Sequence, residues 1–70
     1  MFQEGVKAYV QQDYDKAIFI FENAIQILPT FPYTYNYLGL CHKEKGADKE
    51  YVKKFFEMAL KLDPEYPEAN

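Results

Sequence analysis

Ala17-x3-Phe21-x2-Ala24-x4-Pro29 and Val52-x3-Phe56-x2-Ala59-x4-Pro64 are the two stretches that decide the fold. The second repeats the first at an offset of 35 residues, with valine replacing the leading alanine. Upstream, Gly5 and Gly39 recur at an offset of 34, so one extra residue sits between Gly39 and Val52. The turn Gly46-Ala47-Asp48 is the simplest place for it. A fixed period of this size is the mark of stacked supersecondary units, each unable to bury its apolar face alone.

Each unit reads as two helices. Phe2, Val6, Tyr9 and Val10 have helical spacing over Phe2–Gln11. Asp13 offers an N-cap carboxylate to a helix over Tyr14–Leu28, and Pro29 stops it. Within that helix Ala17, Ile18, Phe21, Ala24, Ile25 and Leu28 follow the i, i+3, i+4, i+7 pattern. A third helix is expected from about Pro32 to Lys45, with Gly46 as the residue that ends it. A fourth starts near Asp48 and stops at Leu62, before Asp63-Pro64. Strand-like alternation bounded by turns is absent from the sequence, so the chain is expected to be all-α. Gly5 and Gly39, with Ala17, Ala24 and Ala59, let paired helices approach, and Phe21 and Phe56 fill the space between them.

Seventy residues allow one domain and no deep, walled active site. Hydrophobic residues make up 49% of the chain and charged residues 27%, a balance that fits neither a membrane span nor disorder. The net charge is −3, and all 8 basic residues are lysine, which leaves no guanidinium fork for phosphate or carboxylate. Nucleic acid is therefore not an expected partner. Lone Cys41 cannot form an intrachain disulfide, and Met1-Phe2-Gln3-Glu4 does not open a signal peptide. The expected location is the cytoplasm.

With these residues in place the chain resembles the tetratricopeptide repeat family. The second unit matches as Tyr35-x2-Leu38-Gly39-x2-His42, then Val52, Phe56, Ala59 and Pro64. The first unit matches at Gly5, Ala17, Phe21, Ala24 and Pro29, but Met1, Glu4 and Ala8 stand where an aromatic, leucine and second aromatic belong. The resemblance implies an α-α superhelix, or solenoid, of two helix-turn-helix hairpins. Repeat one spans 1–31 with a truncated first helix, repeat two spans 32–66, and 67–70 begins a third. It also implies a protein-interaction function on the concave face, with no cofactor, no metal and no catalysis.

Carried over by position, that face comprises Phe2, Val6, Tyr9, Tyr33, Asn36, Tyr37, Leu40 and Lys43. The family subset that grips a C-terminal carboxylate uses a lysine and two asparagines. Here the matching positions hold Phe2, Val6 and Tyr37, which disfavours such a clamp. What remains is a tyrosine-rich groove with Asn36 as its polar anchor, suited to a partner peptide or helix. The alternative is self-assembly into a homodimer through uncapped ends and an apolar patch at Phe19, Ile20 and Leu28.

Three further groupings carry no chemistry. Cys41 and His42 are neighbours on a helix and point about 100° apart, so they do not form a nucleophilic pair. Asp63, Glu65 and Glu68 lack a calcium-loop framework. Lys43, Lys45, Lys49, Lys53 and Lys54, interrupted by Glu44, Asp48 and Glu50, read as a solvated face.

Overall fold

The computed structural model describes residues 2–63. Four helices account for most of them: α1 Phe2–Val10, α2 Tyr14–Ile27, α3 Pro32–Glu44 and α4 Lys49–Leu62. No strand occurs among the described residues, and no described helix is long and apolar enough to cross a membrane. Each helix packs chiefly on the next, α1 on α2, α2 on α3 and α3 on α4, while α1 reaches α3 mainly through aromatic side chains. The result is two helical hairpins joined side by side through α2 and α3. The expected start of a third unit at 67–70 lies outside the described residues.

The helix ends explain both the hairpins and the extra residue. At the end of α1 the Gln12 N–H donates to the Tyr9 carbonyl at 2.9 Å, and the Asp13 N–H to the Ala8 carbonyl at 2.9 Å. At the end of α3 the same pair of bonds runs from Gly46 to Lys43 at 3.0 Å and from Ala47 to His42 at 2.9 Å. Both are Schellman closures, which require a left-handed residue just past the helix. Gln12 has φ 66° and Gly46 has φ 83°. Asp13 then caps α2, its carboxylate accepting from the Lys16 N–H at 3.4 Å. In the second hairpin two residues share these duties: Ala47 closes α3 and Asp48 caps α4, accepting from the Glu50 N–H at 3.2 Å. That division is the inserted residue.

At the far ends the hairpins again agree. The Leu28 N–H reaches the Ala24 carbonyl at 2.8 Å, and the Asp63 N–H reaches the Ala59 carbonyl at 3.0 Å. Between α2 and α3, Pro32 at the first helical turn holds Phe31 extended at φ −87°, ψ 108°. The Tyr35 hydroxyl donates to the Pro29 carbonyl at 3.0 Å, tying the linker to α3.

The core is built from small residues facing rings. Ala8, Ala17, Phe21, Leu38 and Cys41 form its buried cluster, and Val52 and Ala59 are buried along α4. A Cβ on Gly5 would stand 2.5–2.9 Å from three carbons of the Phe21 ring. One on Gly39 would stand 2.7–3.1 Å from the same three carbons of Phe56. The nearest approach in each case is one that real Cβ atoms essentially never show, so each glycine is the contact surface of its ring. The two rings differ in cover: Phe21 is fully buried, Phe56 only partly.

Two outcomes follow from this geometry. Gly5→Ala is expected to cost about 1–3 kcal/mol by overpacking, because the enclosed Phe21 cannot retreat, and Gly39→Ala less, because Phe56 can. Gln12→Gly is expected to stabilise the chain by about 0.5–1 kcal/mol, relief of the left-handed strain outweighing the added freedom of the unfolded chain. Urea unfolding followed by circular dichroism measures both; equal losses for the two glycines would contradict the first.

Candidate interaction face

Aromatic side chains from α1, α3 and their flanks meet ring to ring. Tyr37 stacks on Phe21 with centroids 5.4 Å apart and planes 20° apart. Phe2 lies edge-on to Tyr37 at 5.6 Å and to Phe31 at 5.2 Å, and reaches Tyr33 at 6.5 Å. Tyr9 meets Tyr37 at 5.5 Å and Tyr14 at 5.7 Å. The run is therefore continuous, from Tyr14 through Tyr9, Tyr37 and Phe2 to Phe31 and Tyr33. Edge-to-face and offset pairs of this kind each add about 0.5–1.5 kcal/mol beyond the area they bury. Most of the rings are half-buried, and Tyr33 is the most open of them.

An apolar cleft of about 260 Å³ opens at the Phe2 end, lined by Phe2, Ala24, Ile27, Leu28, Phe31 and Thr34. Its lip is formed by Ile27 and Leu28, both well exposed. Ala24 shows 8% of its surface here, whereas its counterpart Ala59 shows none. At the other end of the run the Tyr9 and Tyr14 hydroxyls are held above the ordinary tyrosine range, first by desolvation and then by the negative charge of Glu44. Both stay protonated and able to donate hydrogen bonds.

Of the expected face, Phe2, Tyr9, Tyr33 and Tyr37 come together, with Val6 half-buried against the core between them. Asn36 requires a correction. It is 3% exposed and cannot present its amide as an anchor. Leu40 is half-buried and Lys43 is exposed, but Lys43 borders a separate cleft with Val52 and Phe56. Phe31 and Tyr14 belong to the face and are not signalled by the repeat motif. Phe31 lies between two prolines, where a linker is the natural reading.

The patch at Phe19, Ile20 and Leu28 does not hold together as one surface. Phe19 is 66% exposed, Ile20 is half-buried, and Leu28 belongs to the cleft beside Phe2. Leu28 lies nine residues beyond Phe19, about 13 Å along a helix.

Cys41 is buried in the core, and burial pushes its thiol up to about 11, which removes the thiolate that nucleophilic chemistry needs. The His42 ring instead turns to α4. It stacks on Phe55 at 5.2 Å with planes 9° apart, and meets Tyr51 edge-on at 5.0 Å. Its Nε2 is buried and has no hydrogen-bond partner among the described residues. Desolvation lowers its pKa below 6.5, with Lys45 acting in the same direction and Glu22 opposing. No grouping of three or more metal-ligating side chains occurs among the described residues.

Because the folded chain disfavours the histidinium, the unfolded chain binds the proton first, and stability falls as pH drops through about 6.5. His42→Phe is expected to raise the melting temperature and flatten this dependence. Thermal unfolding at a series of pH values around that point checks it; an unchanged slope in the variant would assign the pH dependence to other groups. Set beside known proteins, the chain matches no protein-family model and no curated protein.

Proposed function

We propose that this chain is a non-enzymatic protein-interaction module: two repeats of tetratricopeptide type, stacked as a short α-solenoid, that dock a partner peptide or helix across the aromatic face of α1 and α3. The observation that carries this reading is the continuous run of rings from Tyr14 to Tyr33. Each ring is held by its neighbours, so little side-chain entropy remains to be lost on binding. Partly exposed tyrosines supply broad apolar contact together with hydroxyl donors.

The cleft between Phe2 and Leu28 gives a bound segment a place to seat one large apolar side chain. With Asn36 buried, register falls to the tyrosine hydroxyls along the run. Backbone or carboxylate oxygens of a partner are the natural acceptors for them. The resemblance to an interaction-repeat family supports the same conclusion from the sequence side.

Panning a displayed random-peptide library against the intact chain tests the proposal. Enriched peptides are expected to carry aromatic or aliphatic anchors and to lose tenfold or more in affinity to Tyr33→Ala, about 1.4 kcal/mol. Tyr33 is suited to the test because it is the most open ring of the run, whereas Tyr37→Ala would also uncover Phe21. Failure to enrich any peptide, or peptides indifferent to Tyr33→Ala, would overturn the assignment of this face.

A further inference from the structure

The flank of the second hairpin carries a cleft of about 290 Å³, lined by Lys43, Ala47, Lys49, Val52, Lys53 and Phe56. Its floor is apolar and its rim holds three ammonium groups. None of the three lysines pairs with a carboxylate among the described residues. The first hairpin shows what such a flank is shaped to receive. Its equivalent positions are Tyr9, Tyr14, Ala17, Ile18 and Phe21, and α3 lies on them with Tyr37 stacked on Phe21. In the second hairpin Phe56 keeps the place of Phe21, while lysines replace Tyr9, Tyr14 and Ile18. The matching occupant is a helix that brings a ring to Phe56 and carboxylates to the lysines.

That helix is present on the outer side of the same molecule. Phe19 is exposed on α2 and has no ring contact among the described residues, in contrast to Tyr33 and Tyr51. Asp15, four residues before it, and Glu22, three residues after it, share its face of the helix with Lys16, all three are exposed, and the two carboxylates outnumber the one cation. Asp15 also faces Lys45 of its own chain, a surface pair worth little and open enough to accept a second cation.

We propose that the lysine-rimmed cleft of α3 and α4 receives the Asp15–Phe19–Glu22 face of α2 from a second copy of this chain. The two surfaces are different, so the pairing is heterologous and each bound copy offers a further cleft. One helix on one cleft buries little area, which places the association in the weak, transient class. Its ionic rim makes it salt-sensitive. The proposal stands apart from the aromatic face, because α2's outer side and Lys49 and Lys53 contribute nothing to that run of rings.

Light scattering behind a sizing column, run at rising protein concentration, reads the association directly. The average mass is expected to climb above the 8.3 kDa of one chain in low salt and to return to it in high salt. Phe19→Glu destroys one surface, and Lys49→Glu with Lys53→Glu destroys the other; each variant alone is expected to stay monomeric. Mixed together they retain one intact cleft and one intact α2 face, and are expected to form a dimer that grows no further. Far-UV circular dichroism confirms that the variants fold, and Phe19→Ser serves if Phe19→Glu does not. A wild-type mass of one chain at every concentration would overturn the proposal. So would variants that still associate alone, or a mixture that does not pair.

Discussion

The contact between the Phe21 ring and the bare backbone of Gly5 governs the first hairpin, and much of the second hairpin's position depends on it. A helix pair with a side chain at that crossing would be held apart by the width of a methyl group. Without one, the ring lies flat on the backbone, and its other face is left for Tyr37. The fully buried ring thus belongs to two interfaces at once, α1 with α2 and α2 with α3. Enclosing one large aromatic completely is worth about 1.5–3 kcal/mol, a large share of what so small a domain can accumulate.

The second hairpin copies this arrangement through Gly39 and Phe56 but leaves the outer face of the ring partly open. The two units therefore share a frame and differ in what covers it. In the first, tyrosine and isoleucine meet a neighbouring helix; in the second, lysines stand at the same positions. Apolar surface there is tolerable because the long lysine stems can lie along it with their charges in water. The same residues define an electrostatic character that the interior interface between α2 and α3 lacks.

Local chemistry made the helices readable in the sequence. Asp13, Asp48, Gly46 and Pro32 each perform the end-of-helix role their residue types suggest, and the glycine–phenylalanine spacing foretells the close crossings. Gln12 was less legible, because glutamine gives no sign of a left-handed backbone; the Schellman bonds on either side impose it. Asn36 shows a different limit. Helical spacing specifies the direction a side chain takes, not how deeply it is covered once the chain folds. The lysines illustrate the third. Along the chain they alternate with acids and look solvated, and only folding gathers Lys43, Lys49 and Lys53 around Val52 and Phe56. Rings distant in sequence, such as Tyr14 and Phe31, join the aromatic face for the same reason.

The neighbour-to-neighbour packing of the four helices has a kinetic meaning. Apart from the rings that join α1 to α3, the helices pack on their neighbours along the chain, so little loop-closure entropy stands between the unfolded and folded states. Chains wired this way cross their folding barrier in microseconds to milliseconds. Local opening in such chains begins where the fewest buried contacts hold a helix, at the ends. The stack held by Phe21 and Tyr37 lies at the middle of that order and should be the last part of the molecule to exchange its amide hydrogens with solvent.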